Sequence, residues 1–156
     1  MEILKSLKIH VVSLVLISGM LGTMVDVSFA SAGMAVIVNK DNSYSASPEE
    51  AKTIVARLFL KNQSEWPGGI PGKPYDRKGI SKEHASFVKE VLGMDEAKLT
   101  QHWIKSKQLS GETPPRVIKP NKILIKMVGK NKGAIGVISE SEAAKLPGNV
   151  KVLFTY

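Results

Sequence analysis

Two uninterrupted apolar runs, about a hundred residues apart, constrain the fold of this chain more than any other feature. Residues Met34 to Val38 read Met-Ala-Val-Ile-Val and end at Asn39, and residues Gly133 to Ile138 follow a glycine turn. Runs of this length without polar alternation are typical of strands that are buried on both faces of a sheet. Residues Val150 to Tyr156 alternate between apolar and polar and predict a further strand that closes the chain.

Amphipathic segments with helix-start signals lie between these strands. Ser47-Pro48-Glu49-Glu50 combines a capping serine, a first-turn proline and a capping-box glutamate, and it predicts a helix that ends near Leu60. Alternation of strands and helices predicts an α/β fold with a single small sheet covered by helices. The other predicted helices run from Ser81 to Gly93, from Asp95 past Trp103, from Pro120 to Val128, and from the Ser139-x-x-Glu142 capping box to Pro147.

The stretch 61–79 is rich in glycine and proline and cannot be regular helix. We expect an ordered loop with Trp66 as its packing anchor and a short strand near Tyr75. Residues 110–115 form a second predicted loop.

The first 32 residues have the layout of a cleaved secretory signal peptide, with a basic start, an apolar run over 9–24 and small residues at the end. Two cleavage frames fit, Ser28-x-Ala30 and Ala30-x-Ala32. The alternative is a membrane anchor, but the run falls short of the roughly 20 apolar residues that a span needs. Residues 33–156 are then expected to form one domain in the periplasm.

Composition narrows the function classes. The chain has no cysteine, which excludes disulfides and thiol chemistry, and its net charge is +8, which favours anionic partners. Nucleic acid is not expected outside the cytoplasm. Hydrolase, Walker and dinucleotide-binding motifs are missing, so we expect neither an enzyme nor a cofactor or metal site. His84 and His102 are expected on helix surfaces rather than as metal ligands.

Two basic features could recognise anions. Arg77 lies four residues before Ser81, at a predicted helix start where free N–H groups and the helix dipole favour oxyanions. The alternative is that Ser81 only caps the helix and Arg77 is only a surface charge. The second feature is a possible docking face for an acidic partner or a membrane, although such a stripe is more often the solvated side of a helix. Its residues are Lys119, Lys122, Lys126 and Lys130.

Several segments together resemble the phosphate-type substrate-binding proteins of ABC transporters, within the type II periplasmic binding protein superfamily. The matching pieces keep the order of the family and cover almost all of residues 33–156, which correspond to one of the two lobes of such a protein. They are Ala35-Val36-Ile37-Val38-Asn39, Ser47-Pro48-Glu49-Glu50 with Arg57-Leu58-Phe59-Leu60, Trp66-Pro67-Gly68-Gly69, Arg77-x-x-x-Ser81 with Phe87, Val91-Leu92-Gly93-Met94 with Trp103, Ser110-Gly111-x-x-Pro114-Pro115, and Gly133-Ala134-Ile135-Gly136.

The resemblance implies an anion site in which Arg77 matches the anion-binding arginine and Ser81 the serine at the helix start. Lys82 and Glu83 stand where the family has glycine and threonine, and Glu83 would compete with a bound anion. The residues implied as ligands are Arg77, Gly79, Ser81, Ser110, Gly111 and Thr113.

Two functional hypotheses follow. The first is an exported lobe that binds phosphate or a related oxyanion for an ABC transport system. One lobe offers the ion a single wall, so we expect binding that is weak or that depends on a homodimer or a partner protein for the second wall. The second is a periplasmic interaction module that has lost solute binding and docks on a membrane transporter or another envelope protein.

Overall fold

The computed structural model of the protein describes residues 33–77 and 79–156. Five strands and five α-helices lie in these ranges, and the second helix continues into one turn of π-helix, Phe87–Val91. In chain order they are β1 (Met34–Asn39), α1 (Pro48–Phe59), β2 (Lys73–Asp76), α2 (Lys82–Ser86), α3 (Glu96–Ser110), β3 (Arg116–Val117), α4 (Asn121–Lys130), β4 (Ala134–Ser139), α5 (Glu140–Ala143) and β5 (Val150–Thr155).

The strands form one mixed sheet in the order β3-β2-β4-β1-β5. Strand β1 is antiparallel to both of its neighbours, β4 and β5, whereas β2 is parallel to β3 and β4. The predicted fold class, a small sheet covered by helices, is confirmed. Strand β3 was not predicted, because its two residues are too few to carry a periodic pattern.

The two apolar runs are buried strands, as predicted. Every residue of β1 is buried, and alternate side chains enter two separate cores on opposite faces of the sheet. Val36 packs in the core that contains Phe59 and Phe87, while Ile37 packs in the core that contains Leu124. Helices therefore cover both faces of the sheet, which is why the run needs no polar alternation.

Local hydrogen bonds fix where the first helix starts. The Ser47 hydroxyl accepts a hydrogen bond from the Glu50 N–H at 3.4 Å, and the Glu50 carboxylate accepts one from the Ser47 N–H at 3.2 Å. The predicted capping box is thus present, and Leu60 caps the end of α1.

The last predicted capping box does not form. The Ser139 hydroxyl lies 3.0 Å from the Ser141 hydroxyl and donates to the Glu142 carboxylate at 3.3 Å, so it caps no backbone N–H of α5. Helix α5 ends at Ala143, before Pro147. On α4, Leu124 and Val128 are buried, whereas Ile123 is 46% exposed.

Trp66 anchors the loop before β2, as predicted. Its side chain is buried, and its indole N–H donates to the Gly133 carbonyl at 3.0 Å. This bond ties the loop to the start of β4.

None of the helices in ranges 33–77 and 79–156 is long and apolar enough to cross a membrane. The predicted signal peptide, residues 1–32, lies outside the described residues.

Candidate anion-binding site

The carboxyl ends of the three parallel strands bring polar residues together at one edge of the sheet. Arg77 directly follows β2, Asn121 opens the helix after β3, and Ser139 ends β4. In open α/β sheets, ligands bind in the crevice outside these strand ends. This edge is therefore the candidate site, and it contains the predicted Arg77.

Arg77 points into the protein rather than into solvent, with only 5% of the residue exposed. Its Nη1 donates to the Ile118 carbonyl at 3.0 Å, and its Nη2 donates to the Asn121 side-chain oxygen. The Glu83 carboxylate lies 4.0 Å from the same Nη2. Its Nε is buried and has no hydrogen-bond partner among the described residues. Arg77 is thus held by the protein but keeps unused donor capacity.

Asn121 extends the Arg77 contacts to a second carboxylate. Its amide nitrogen donates to the Glu142 carboxylate, which also accepts a hydrogen bond from the Ser139 hydroxyl. Asn121 was not predicted as a site residue, because its contact with Arg77 spans 44 residues and its position just after Pro120 indicates only a helix start.

His84 is buried, so the expectation that it lies on a helix surface is wrong. Its Nδ1 lies 2.8 Å from the Asp76 carboxylate and its Nε2 lies 2.9 Å from the Glu96 carboxylate. The hydrogen bond to Asp76 is the largest cause that raises the pKa of His84 to about 9; burial opposes it and the Glu96 carboxylate adds to it. His84 is therefore an imidazolium at neutral pH.

A sequence signal for the burial of His84 did exist. Residues 84, 88 and 91 are spaced as neighbours on one helical face, and Val88 and Val91 are both buried. The Asp76 carboxylate that meets His84 also accepts a hydrogen bond from the Arg77 N–H at 2.7 Å. His102, in contrast, is half-buried and its Nε2 lies 2.9 Å from the Leu60 carbonyl.

The charges at this edge compensate one another. The two cations, Arg77 and His84, face carboxylates on three sides, from Asp76, Glu83 and Glu96. Opposite charges within about 4 Å neutralise each other's field, so among the described residues the contacts of Arg77 and His84 leave no excess of positive charge. No cluster of three potential metal-ligating side chains occurs in the part of the chain that the structure describes.

The other implied ligands make local contacts that do not involve Arg77. Ser81 caps α2, since its hydroxyl accepts a hydrogen bond from the His84 N–H at 3.2 Å. Ser110 donates to the Ser106 carbonyl at 2.9 Å, and Gly111 ends α3 with a left-handed φ of 73°. Gly79 lines a cavity of about 610 Å³, whereas Thr113 lines a different one of about 240 Å³. Gly79 and Thr113 therefore line different cavities.

The lysine stripe lies where the helical spacing predicts. Lys119 precedes α4 and the other three lysines lie on it, and all four are exposed. Within the described residues none of the four forms an ion pair. The four lysines of the stripe are Lys119, Lys122, Lys126 and Lys130.

The fold is similar to that of phosphate-binding transport proteins. An ABC-type phosphate transport receptor from Vibrio cholerae superposes with a TM-score of 0.55 at 18% sequence identity, over 78% of this chain and 45% of that one. PstS from Borrelia burgdorferi gives a TM-score of 0.54 at 16% identity, over 78% of this chain and 47% of its own. Comparison with protein-family models and with curated proteins finds no match.

The likeness defines the class of the fold. The chain spans slightly less than half the length of these transport proteins, and its mixed sheet with surrounding helices matches one lobe of a periplasmic-binding-protein-like fold. The resemblance predicted from the sequence is thus confirmed at the level of the fold.

Proposed function

We propose that this chain is an exported binding-protein lobe that contacts phosphate or a related oxyanion at the carboxyl edge of the sheet and serves an ABC-type transport system. The observation that carries the proposal is the fold likeness to one lobe of a phosphate transport receptor. The chain would act as a binding protein in the periplasm rather than as an enzyme. Arg77, at the end of β2, is the residue we expect the anion to contact.

Arg77 has the donor capacity that the proposal needs. A guanidinium carries five N–H donors, and the protein engages one on Nη1 and one on Nη2 in hydrogen bonds. The Nε donor has no partner among the described residues but is itself buried, so the donors that the anion would meet are the second N–H groups of Nη1 and Nη2. An incoming oxyanion would compete with the Glu83 carboxylate, which lies 4.0 Å from Nη2. We therefore expect weak binding that depends on the displacement of Glu83.

A single lobe gives the anion only one wall. An ion that stays half in water gains much less from each charged contact than an enclosed ion does. The matched part of this chain covers only 45% and 47% of the two transport proteins to which the fold is similar. A homodimer or a partner protein, such as a membrane transporter, would supply the second wall.

Titration calorimetry with phosphate at low ionic strength tests the proposal. Glu83→Gln is expected to strengthen binding at least about fivefold, because a unit charge at 4 Å is worth about 1 kcal/mol even in water. Arg77→Met is expected to abolish binding at the carboxyl edge, including the gain caused by Glu83→Gln. Glu90→Gln is the matched control, since Glu90 is an exposed carboxylate that pairs with Lys89 at 3.6 Å. If the protein and Glu83→Gln both give no heat at millimolar phosphate, the proposal is wrong.

A second candidate function is the interaction module that docks on an envelope partner. Its supporting observation is that the guanidinium of Arg77 is turned inward, while the lysines of the stripe are exposed and form no ion pairs within the described residues. Glutamine at Lys119, Lys122 and Lys126 would then abolish co-sedimentation with envelope membranes and leave phosphate binding unchanged. Glutamine at Lys98, Lys105 and Lys107 is the charge-matched control.

A further inference from the structure

A second basic region lies at the opposite end of β2 from Arg77. There a cavity of about 540 Å³ opens between the loop residues 69–71 and the turn 130–133. Three lysines line it, Lys73, Lys130 and Lys132, and no acidic residue does. Lys73 starts β2 and Arg77 follows its end, so about 13 Å of strand separates the two regions.

The ammonium groups of these lysines are not neutralised by the protein. Within ranges 33–77 and 79–156, Lys130 and Lys132 make no side-chain hydrogen bond and no ion pair. Lys73 donates only to the neutral side-chain oxygen of Asn131, at 3.4 Å. Three cations that share one cavity repel one another, and a multivalent anion would relieve that repulsion.

The lysine side chains do not cap the carbonyl groups at the end of α4 either. Lysines near a helix C-terminus often bind its free carbonyl groups. Here asparagine amides already do so: Asn131 donates to the Met127 carbonyl at 2.7 Å, and Asn39 donates to the Val128 and Gly129 carbonyls at 3.1 and 2.9 Å. Asn149 also donates to the Gly129 carbonyl at 3.2 Å. The ammonium groups are therefore available to a ligand.

The walls of the cavity are rigidly joined. The Gly133 carbonyl accepts hydrogen bonds from the Trp66 indole at 3.0 Å and from the Lys73 N–H at 2.8 Å. A Cβ on Gly133 would lie 1.8 Å from the Pro71 carbonyl oxygen, so glycine is required where the loop meets the turn. The scaffold that carries Lys73 and Lys132 is thus preformed, which lowers the entropy cost of binding.

We propose that this lysine-lined cavity binds an anion of the diphosphate class, either free pyrophosphate or the diphosphate group of a larger molecule. The cavity is open, and its three lysines come from two segments, the start of β2 and the turn 130–133, so an anion with two phosphate groups can contact both. Three lysines match an anion that carries at least two charges on separate phosphate groups. The site is independent of Arg77 and of the function proposed for the carboxyl edge.

Two-dimensional ¹⁵N–¹H NMR of the full chain during a pyrophosphate titration tests the proposal. Amide shifts are expected at Gly69, Ile70 and residues 130–133, with a smaller response to inorganic phosphate at equal concentration. Shifts confined to Arg77 and Ser81 would overturn this proposal and leave the carboxyl-edge site standing. ADP distinguishes the two sources. If ADP binds at least as tightly as pyrophosphate, the ligand is the diphosphate group of a larger molecule. If ADP binds more weakly, the ligand is free pyrophosphate.

Matched variants separate a site from diffuse charge attraction. Lys130→Gln with Lys132→Gln is expected to weaken pyrophosphate binding about tenfold or more. The control is Lys105→Gln with Lys107→Gln, which removes the same charge from exposed positions on α3 and is expected to change binding less than about twofold. Equal loss in both pairs, or no shift with millimolar pyrophosphate, would refute the site.

Discussion

The two ends of strand β2 carry basic residues in opposite electrostatic states. At the carboxyl end Arg77 and His84 are buried and face carboxylates from Asp76, Glu83 and Glu96. At the amino end three exposed lysines line one cavity with no acidic neighbour in its lining. Both ends carry at least two basic residues, but their neighbours differ. At the first end an anion has to displace the Glu83 carboxylate from Arg77, whereas at the second end no counter-charge lines the cavity.

The largest expected effect tests whether the charged contacts at the carboxyl end stabilise the fold. His84→Ala removes a buried imidazolium and leaves the Asp76 carboxylate without its charge partner, so the free energy of unfolding should fall by about 3 kcal/mol. Urea unfolding measures it. Lys73→Gln, at the other end of the same strand, is the control and should change stability by less than about 0.5 kcal/mol. Equal effects would remove the contrast between the two ends.

The pH dependence of stability should separate the ends as well. The pKa of His84 is about 9 in the folded protein, above the value of about 6.5 expected when unfolded. The stabilisation is therefore complete below about pH 6.5 and is lost as the pH rises towards 9, by up to about 3 kcal/mol. Urea unfolding at pH 6 and pH 9.5 measures it. A His84→Gln variant that keeps the same decrease would show that another group is responsible.

A smaller effect is expected from the asparagines that cap α4 near the lysine-lined cavity. Asn39 is buried and its amide donates to two carbonyls, so Asn39→Ala should cost about 2 kcal/mol of stability. Asn149 is exposed and donates one bond to Gly129, so Asn149→Ala should cost less than about 1 kcal/mol. Thermal unfolding of both variants checks the order, and a reversed order would contradict the assigned capping roles.

The smallest expected effect concerns the lysines themselves. Lys130→Gln with Lys132→Gln should change the free energy of unfolding by less than about 0.5 kcal/mol, or raise it slightly, because mutual repulsion is removed. Chemical unfolding at low salt measures it. A loss above about 1 kcal/mol would mean that these lysines stabilise the fold and are not free for a ligand.

Much of the fold was predictable because its signals are local. The burial of β1 and β4 follows from apolar runs, and the start of α1 follows from the Ser47 and Glu50 capping box. Strand β3 was not predictable, since it exists only through its pairing with β2. The Ser139 capping box failed because its hydroxyl found Ser141 and Glu142 side chains instead of a backbone N–H.

The candidate site was predictable only in part. The position of Glu83 in the first turn of a helix indicated a charge that competes with an anion, and the structure places its carboxylate 4.0 Å from Arg77. The contacts of Arg77 with Ile118 and Asn121 could not be predicted, because they join residues more than 40 positions apart. Whether Gly79, Ser110, Gly111 and Thr113 act in anion binding stays a prediction.

The sequence by itself determined the strands that are buried, the residues that start the main helices and the resemblance to one binding-protein lobe. Only the tertiary structure decided which charges are neutralised. Burial and the distance between charges set the strength of an electrostatic interaction, and both depend on residues that are remote in sequence. His84 is an imidazolium between Asp76 and Glu96 for that reason, while Lys73, Lys130 and Lys132 meet at one cavity without a counter-charge in its lining.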